Sequence, residues 1–149
     1  MSLTETGRHN LPLLAVSQAQ KEITHNEALV RIDALLHPVV EEELAVPPSP
    51  TERDIGKCWL IAPSPIGAWQ GMTGRIAIWT GGSWRYCIPT EGLKVRVTSS
   101  GSDRVRSNAI WVDSPTIPDP ANGTVIDVEA RSAIVALLGH LRAIGHVTS

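Results

Sequence analysis

The side chains able to do chemistry in this chain are spread along it and form no familiar catalytic or ligating spacing. His9, His25, His37, His140 and His146 include no pair at the separation that grips a metal from one helix face. Cys58 and Cys87, the only cysteines, lack the short paired spacing of a zinc or redox motif and read as small buried hydrophobes on strands. Whether they meet depends on a distance that spacing does not supply. Glu52 and Asp54 are a carboxylate pair of a kind common on surfaces, and acid–base work would need a cleft around them. No Gly-x-Ser-x-Gly elbow or dinucleotide fingerprint occurs, and Gly71-Met72-Thr73-Gly74 leads into a strand, the wrong context for a phosphate at a helix N-terminus. The expectation is a protein that is not an enzyme, with no catalytic residue, metal or cofactor. His25-Asn26-Glu27 reads as a polar helical segment whose hydrogen bonds serve the fold.

Aromatic residues are the denser signal. Trp59, Trp69, Trp79, Trp84 and Trp111 carry nearly all the aromatic burial, because Phe is absent and Tyr occurs once. Three of them lie between Trp69 and Trp84, where Gly81-Gly82 separates two alternating runs, the strongest hairpin signal in the chain. In Arg75 to Thr80, Ile76 and Ile78 share one face, and Ala77 and Trp79 the other. In Ser83 to Ile88, Trp84, Tyr86 and Ile88 oppose Arg85 and Cys87. The indoles have three readings: the core of a small β module, an exposed platform at Trp69, Trp79 and Trp84 for a glycan or a partner, or contacts between subunits.

Several elements must position these residues. Residues 1–10 read as a flexible arm. Beyond it Ser17 or Thr24 can cap a helix in which Ala28, Leu29, Ile32, Leu35, Leu36, Val39 and Val40 recur at spacings of three and four. The helix is expected over Thr24 to Val40, with a kink or stop at Pro38, and the acidic run Glu41 to Glu43 as its solvated end. Val46-Pro47-Pro48-Ser49-Pro50 is a stiff connector into a β module. Strands are expected at Cys58 to Ala62, at Leu93 to Thr98 with Lys94 and Arg96 on its wet side, and at Ser107 to Val112, with a turn over 99–103. Pro115, Pro118 and Pro120 open a second linker. Then Val128, Ala130, Ile134, Leu137, Leu138, Leu141 and Ile144 trace a second helical stripe, weakened by Gly139 and ended by Gly145. Positions 134, 137, 141 and 144 fit an a/d repeat. Such a helix on a proline tether is expected to pair with copies of itself in preference to folding back on the β module.

The expected architecture is α+β: an N-terminal arm and helix (1–45), a small antiparallel Trp-rich β module (46–114), and a linker with a C-terminal oligomerising helix (115–149). One ordinary core suits 149 residues of which 42% are apolar and 19% charged. A net charge of -2 with scattered basic residues argues against nucleic acid. The apolar runs are too short for membrane insertion, and the polar start lacks the centre of a signal peptide, so the chain is expected to stay in a cytoplasm until it is assembled or released.

Two blocks carry a resemblance. Leu11-Pro12-Leu13-Leu14-Ala15-Val16-Ser17-Gln18-Ala19-Gln20-Lys21-Glu22-Ile23-Thr24-His25-Asn26-Glu27-Ala28-Leu29 resembles the opening of a domain of unknown function found in phage, prophage and gene-transfer-agent proteins of alphaproteobacteria. Gly67 to Gly92, with Gly-Ala-Trp, an Ile-Ala-x-Trp strand, a tight turn, Trp-Arg-Tyr and Pro-x-Glu-Gly, resembles the middle of the same family. The resemblance implies a virion component, assembled in the bacterial host cytoplasm, in a tail fibre, baseplate or other peripheral tail structure; it supplies no catalytic residues. The stripe from Val128 to Ile144 is similar to helices that end trimeric fibre proteins. Little sequence follows it, so an adaptor, connector or short fibre is favoured over direct host recognition. The expected partners are further copies of the chain in a homotrimer and other phage tail or baseplate proteins. Subunit contacts are expected at Leu29, Ile32, Leu35, Leu36 and Val39 and at Ile134, Leu137, Leu138, Leu141 and Ile144. A module binding a host surface glycan through its tryptophans is the alternative.

Overall fold

The computed structural model describes residues 4–15, 21–121 and 127–148. Two helices, α1 (Lys21–Leu36) and α2 (Val128–Ala143), flank eight short strands, so the architecture is α+β. The strands are β1 (Val39–Val40), β2 (Glu43–Leu44), β3 (Cys58–Ile61), β4 (Ile76–Trp79), β5 (Trp84–Cys87), β6 (Lys94–Val97), β7 (Ser102–Ser107) and β8 (Ile110–Asp113). They form two four-stranded sheets, ordered β1-β6-β7-β8 and β2-β3-β4-β5. Every pair is antiparallel except β1 with β6 and β2 with β3, which are parallel.

The first helix departs from its expected bounds. It already includes Lys21 and ends at Leu36, because the ring of Pro38 disfavours helical backbone at His37. Thr24 therefore lies inside the helix, and Ser17 lies outside the described residues. Val39 and Val40, expected on the helical stripe, form β1 instead, opposite Arg96 and Val97 of β6. Glu41 to Glu43 is not a helix end. The chain crosses there from the first sheet to the second, Glu43 enters β2 opposite Leu60, and its carboxylate pairs with Arg104. Strands on either side of residue 45 are thus hydrogen-bonded to one another.

Between the sheets, Val40, Val95 and Val97 of the first meet Cys58, Leu60, Ile76, Ile78 and Cys87 of the second, with Ala34 of α1 in the same cluster. A second cluster covers the opposite face of β3 and β4: Trp59, Ile61, Trp69 and Ala77, with Leu44, Met72, Trp79, Trp84 and Tyr86 against them. Each strand of the β4–β5 hairpin has the expected faces, and the register, with Ala77 opposite Tyr86 and Trp79 opposite Trp84, brings the tryptophans of the two strands to one side. Its Gly81 has φ +86° while Gly82 stays out of the left-handed region, the pattern of a type II′ turn.

The last expected strand, Ser107 to Val112, is instead parts of two. β7 and β8 turn back at Asn108-Ala109, both left-handed at φ 49° and 63°, the type I′ signature without the glycine that usually announces it. Trp111 of β8 donates its Nε1–H to Gly74 O at 3.0 Å, tying the first sheet to the loop before β4.

Of the expected arm, the described residues from Thr4 on are fastened rather than free. Thr6 N–H donates to Leu11 O and Leu13 N–H to Thr4 O, closing a small loop. Gly7 presses against the backbone of Ile55 and Gly56, where a Cβ would come within 2.7 Å of Ile55 O.

Candidate functional site

The candidate site is a pair of helix faces, and α1 presents its face in an unexpected sense. Its inward side carries Val30, Ala34 and three polar residues, while Ile32, Leu35 and Leu36 are exposed, Leu36 by 59%. Leu29 is half-buried, as is Val39 on β1. Asp33, 2% exposed, explains the inversion. Its Oδ2 accepts the backbone N–H of Arg8 at 3.0 Å, and its Oδ1 accepts that of His9 at 2.9 Å and lies 3.0 Å from His9 Nδ1. Asn26 uses both ends of its amide on the backbone of Leu14, and Glu22 is buried as well. The Arg8 guanidinium donates to Ala34 O and His37 O at the end of the helix, where carbonyls lack intrahelical partners, and to Val39 O on β1. Glu27 pairs with Arg85 of β5 at 3.1 Å, so α1 is held along its length by polar bonds. Its leucines are left outside.

α2 is held differently. Asp127 caps it by accepting Ala130 N–H at 2.8 Å. At the other end, Gly145 N–H donates to Arg142 O and His146 N–H to Leu141 O, a Schellman motif with Gly145 at φ +77°, as its position in the sequence foretells. Gly145 O then accepts Asp103 N–H and the Ser114 hydroxyl, while Arg96 donates to Ile144 O, so this end is bolted to the first sheet. Arg142 reaches back to Asp119 and to Ile117 O in the proline linker. Val128, Ile134, Val135, Leu137 and Ile144 remain exposed, Leu137 by 58%. Leu138, expected at a subunit contact, is buried within the subunit at 5% exposure, and Leu141 is half-buried. The helix is therefore folded back at its C-terminal end yet exposed around most of its circumference, with Leu138 buried and Arg131, Leu141 and Arg142 half-buried.

The tryptophans are mostly spoken for. Trp84 lies against Trp59, Trp69 and Trp79 with ring centroids 5.5, 5.1 and 5.1 Å away, the first two edge to face. Trp69 is fully buried, which removes it as a contact for a glycan or partner. Trp79 and Trp84 are half-buried, and Trp79 spends its Nε1–H on Thr51 O. Tyr86 donates its hydroxyl to Ala68 O at 2.8 Å, locking the loop that carries Trp69.

The other candidate chemistry stays dispersed. Cys58 and Cys87 are free thiols in the same cluster, and burial pushes the Cys58 thiol up to about 12 and Cys87 upward as well. Asp54 clasps Lys57 at 2.8 Å and both the backbone N–H and hydroxyl of Thr51, which together hold its carboxyl well below the usual carboxylate range. Glu52 sits beside it on the same 3-10 turn, exposed. Among the described residues no group of three or more His, Cys, Asp and Glu is placed to hold a metal. Sequence reasoning missed Arg8 and Asp33, and its only signal for them was a charged residue interrupting the apolar face of a helix.

A profile described as a protein of unknown function (DUF2793) matches residues 25–112, from within α1 through most of β8. Comparison with curated proteins gave no match.

Proposed function

We propose that this chain, which belongs to that family of unknown function, is a structural virion protein: a homotrimeric component of a phage tail, fibre or tail adaptor. The observation that carries the reading is the apolar surface left exposed on α2, a helix fastened mainly at its C-terminal end: Ile134, Leu137 and the capping Ile144 share one side, and Val128 and Val135 lie on the other. Half-exposed side chains of this size gain about 1 kcal/mol each when covered, which is small beside an association cost of about 4–15 kcal/mol. Covering each stripe from two sides, as a three-fold axis does, extracts more from it than a single pair. α1 adds Ile32, Leu35 and Leu36, flanked by half-buried Leu29 and Val39, as the face toward the particle or a sister subunit. The resemblance of Leu11 to Leu29 and Gly67 to Gly92 to phage, prophage and gene-transfer-agent proteins of alphaproteobacteria supports the reading of an assembly in a virion built in the host cytoplasm, among other tail or baseplate proteins. The glycan-binding alternative loses support from the four indoles packed on one another.

Light scattering after size exclusion tests the trimer. Wild-type protein is expected at three times the 16.0 kDa of one chain, and Ile134→Glu with Leu137→Glu at one chain, with the near-ultraviolet signal of the tryptophan cluster unchanged. A wild-type monomer at micromolar concentration overturns the homotrimer. Immunogold labelling of purified particles tests the location, and unlabelled particles overturn it.

A further inference from the structure

Beside β5 two arginines have no counter-ion among the described residues. A groove of about 440 Å³ runs beside β5, lined by Arg31 and Leu35 of α1, by Arg75, and by Arg85, Tyr86, Cys87 and Ile88. Arg85 is engaged with Glu27 and with the Ser83 hydroxyl. The side chains of Arg31 and Arg75 make no hydrogen bond or ion pair among the described residues, although Arg75 is half-buried. The lining carries three guanidinium groups and no carboxylate, and Glu27 neutralises only Arg85, so the groove keeps a surplus of positive charge on a chain whose net charge is -2. Planar guanidinium groups beside apolar Leu35 and Ile88 favour a carboxylate on an otherwise apolar ligand.

The backbone of β5 adds a second, independent feature. Thr80 N–H donates to Ser83 O, and Trp79 uses its N–H on Lys57 O and its C=O on Gly56 N–H, toward β3. Antiparallel alternation then places the β4–β5 hydrogen bonds at Ile78 with Arg85 and at Ile76 with Cys87. The N–H and C=O of Tyr86 consequently point away from β4. β5 is the last strand of its sheet, so these groups face the groove side of an open edge.

We propose that this edge receives an extended acidic segment of a partner polypeptide, which adds as a strand beside β5 and sets carboxylates against Arg31 and Arg75. Main-chain bonds to Tyr86 supply generic affinity, and the arginines select sign and register. A second copy of this chain is a poor occupant, because pairing β5 with β5 would bring the arginine clusters together. The proposal requires neither the homotrimer nor the virion, although Leu35 lines this groove and also belongs to the α1 face described above.

The test uses the full chain and a fluorescein-labelled octapeptide of alternating valine and glutamate, with a lysine-for-glutamate octapeptide and hyaluronan oligosaccharides as comparison ligands. The acidic peptide is expected to bind, the lysine peptide not, and Arg31→Gln with Arg75→Gln to weaken binding by about tenfold or more. Hydrogen exchange at the Tyr86 amide is expected to slow in the complex. Should the double variant lose the near-ultraviolet tryptophan signal, Arg31→Gln alone, at an exposed position, gives the same readout. The proposal is overturned by no peptide binding up to about 1 mM, by binding that the arginine variants leave intact, or by binding without protection at Tyr86. Hyaluronan binding as tightly as the peptide also overturns it, and makes the groove an acidic-sugar site.

Discussion

α1 and α2 are both 16 residues long and both turn apolar side chains to solvent, yet they are attached by opposite means. α1 is held along its inner side by buried polar groups: Asp33 clamps the N-terminal loop, Asn26 holds Leu14, and Arg8 closes the helix end. α2 is held at its C-terminal end by a Schellman turn and three bonds to the carbonyls of Ile144 and Gly145, with one buried leucine between. The difference teaches that an exposed apolar stripe has two origins. On α1 it remains because polar residues took the inner side. On α2 it remains because only a small part of the helix meets its own subunit.

The largest expected effect falls on α1. Asp33→Ala strands the Arg8 and His9 amides in a buried setting, and urea unfolding is expected to show a loss of about 3 kcal/mol. Asp127→Ala, which removes only the exposed cap of α2, is expected to cost about 1 kcal/mol. Equal losses would erase the contrast between the helices.

Next comes the single buried leucine. Leu138→Ala is expected to lower stability by about 2 kcal/mol, the lower end for a truncated core leucine. Leu137→Ala, one residue away on the exposed side, is expected to change monomer stability by less than about 0.5 kcal/mol. A Leu137 loss as large as that of Leu138, measured under monomeric conditions, would mean that α2 packs on its own subunit from both sides.

The smallest effect concerns neither helix but the sheets between them. Burial raises the Cys58 pKa to about 12, so at neutral pH the group is a protonated thiol. A raised cysteine pKa means that the neutral form is the one the fold favours, so stability from this source is present at neutral pH and declines only as pH climbs past the unfolded value. A disulfide reagent that needs thiolate is expected to modify native Cys58 and Cys87 only as fast as the protein unfolds. Modification at the rate of an unfolded thiol would show that the sheets part locally.

Much of the β module was legible in the chain. Alternation set Ile76 and Ile78 against Ala77 and Trp79 in one strand, and Trp84 and Tyr86 against Arg85 and Cys87 in the next, because side chains repeat with a period of two. Which faces lie together was decided by the register of Trp79 opposite Trp84. Gly145 announced its own role, since few other residues fit a left-handed helix end. The strands β1 and β2 were illegible because two residues carry no period. The β7–β8 turn was hidden because Asn108-Ala109 contains no glycine. The clamp at Asp33 was invisible because its donors lie 24 and 25 residues earlier, in a segment whose polarity reads as disorder.

What the amino-acid order determined by itself are the local choices: helix stops at Pro38 and Gly145, the Gly81-Gly82 turn, and which side chains share a strand face. These depend on backbone sterics and on periodicity, which act between near neighbours. Tertiary structure alone decided which side of α1 faces inward, that Trp69 is buried while Trp79 and Trp84 keep partly open faces, and that Arg31 and Arg75 meet beside an open strand edge. Those outcomes depend on which surfaces compete for the same core and on pairings between distant residues, and no local pattern encodes that competition.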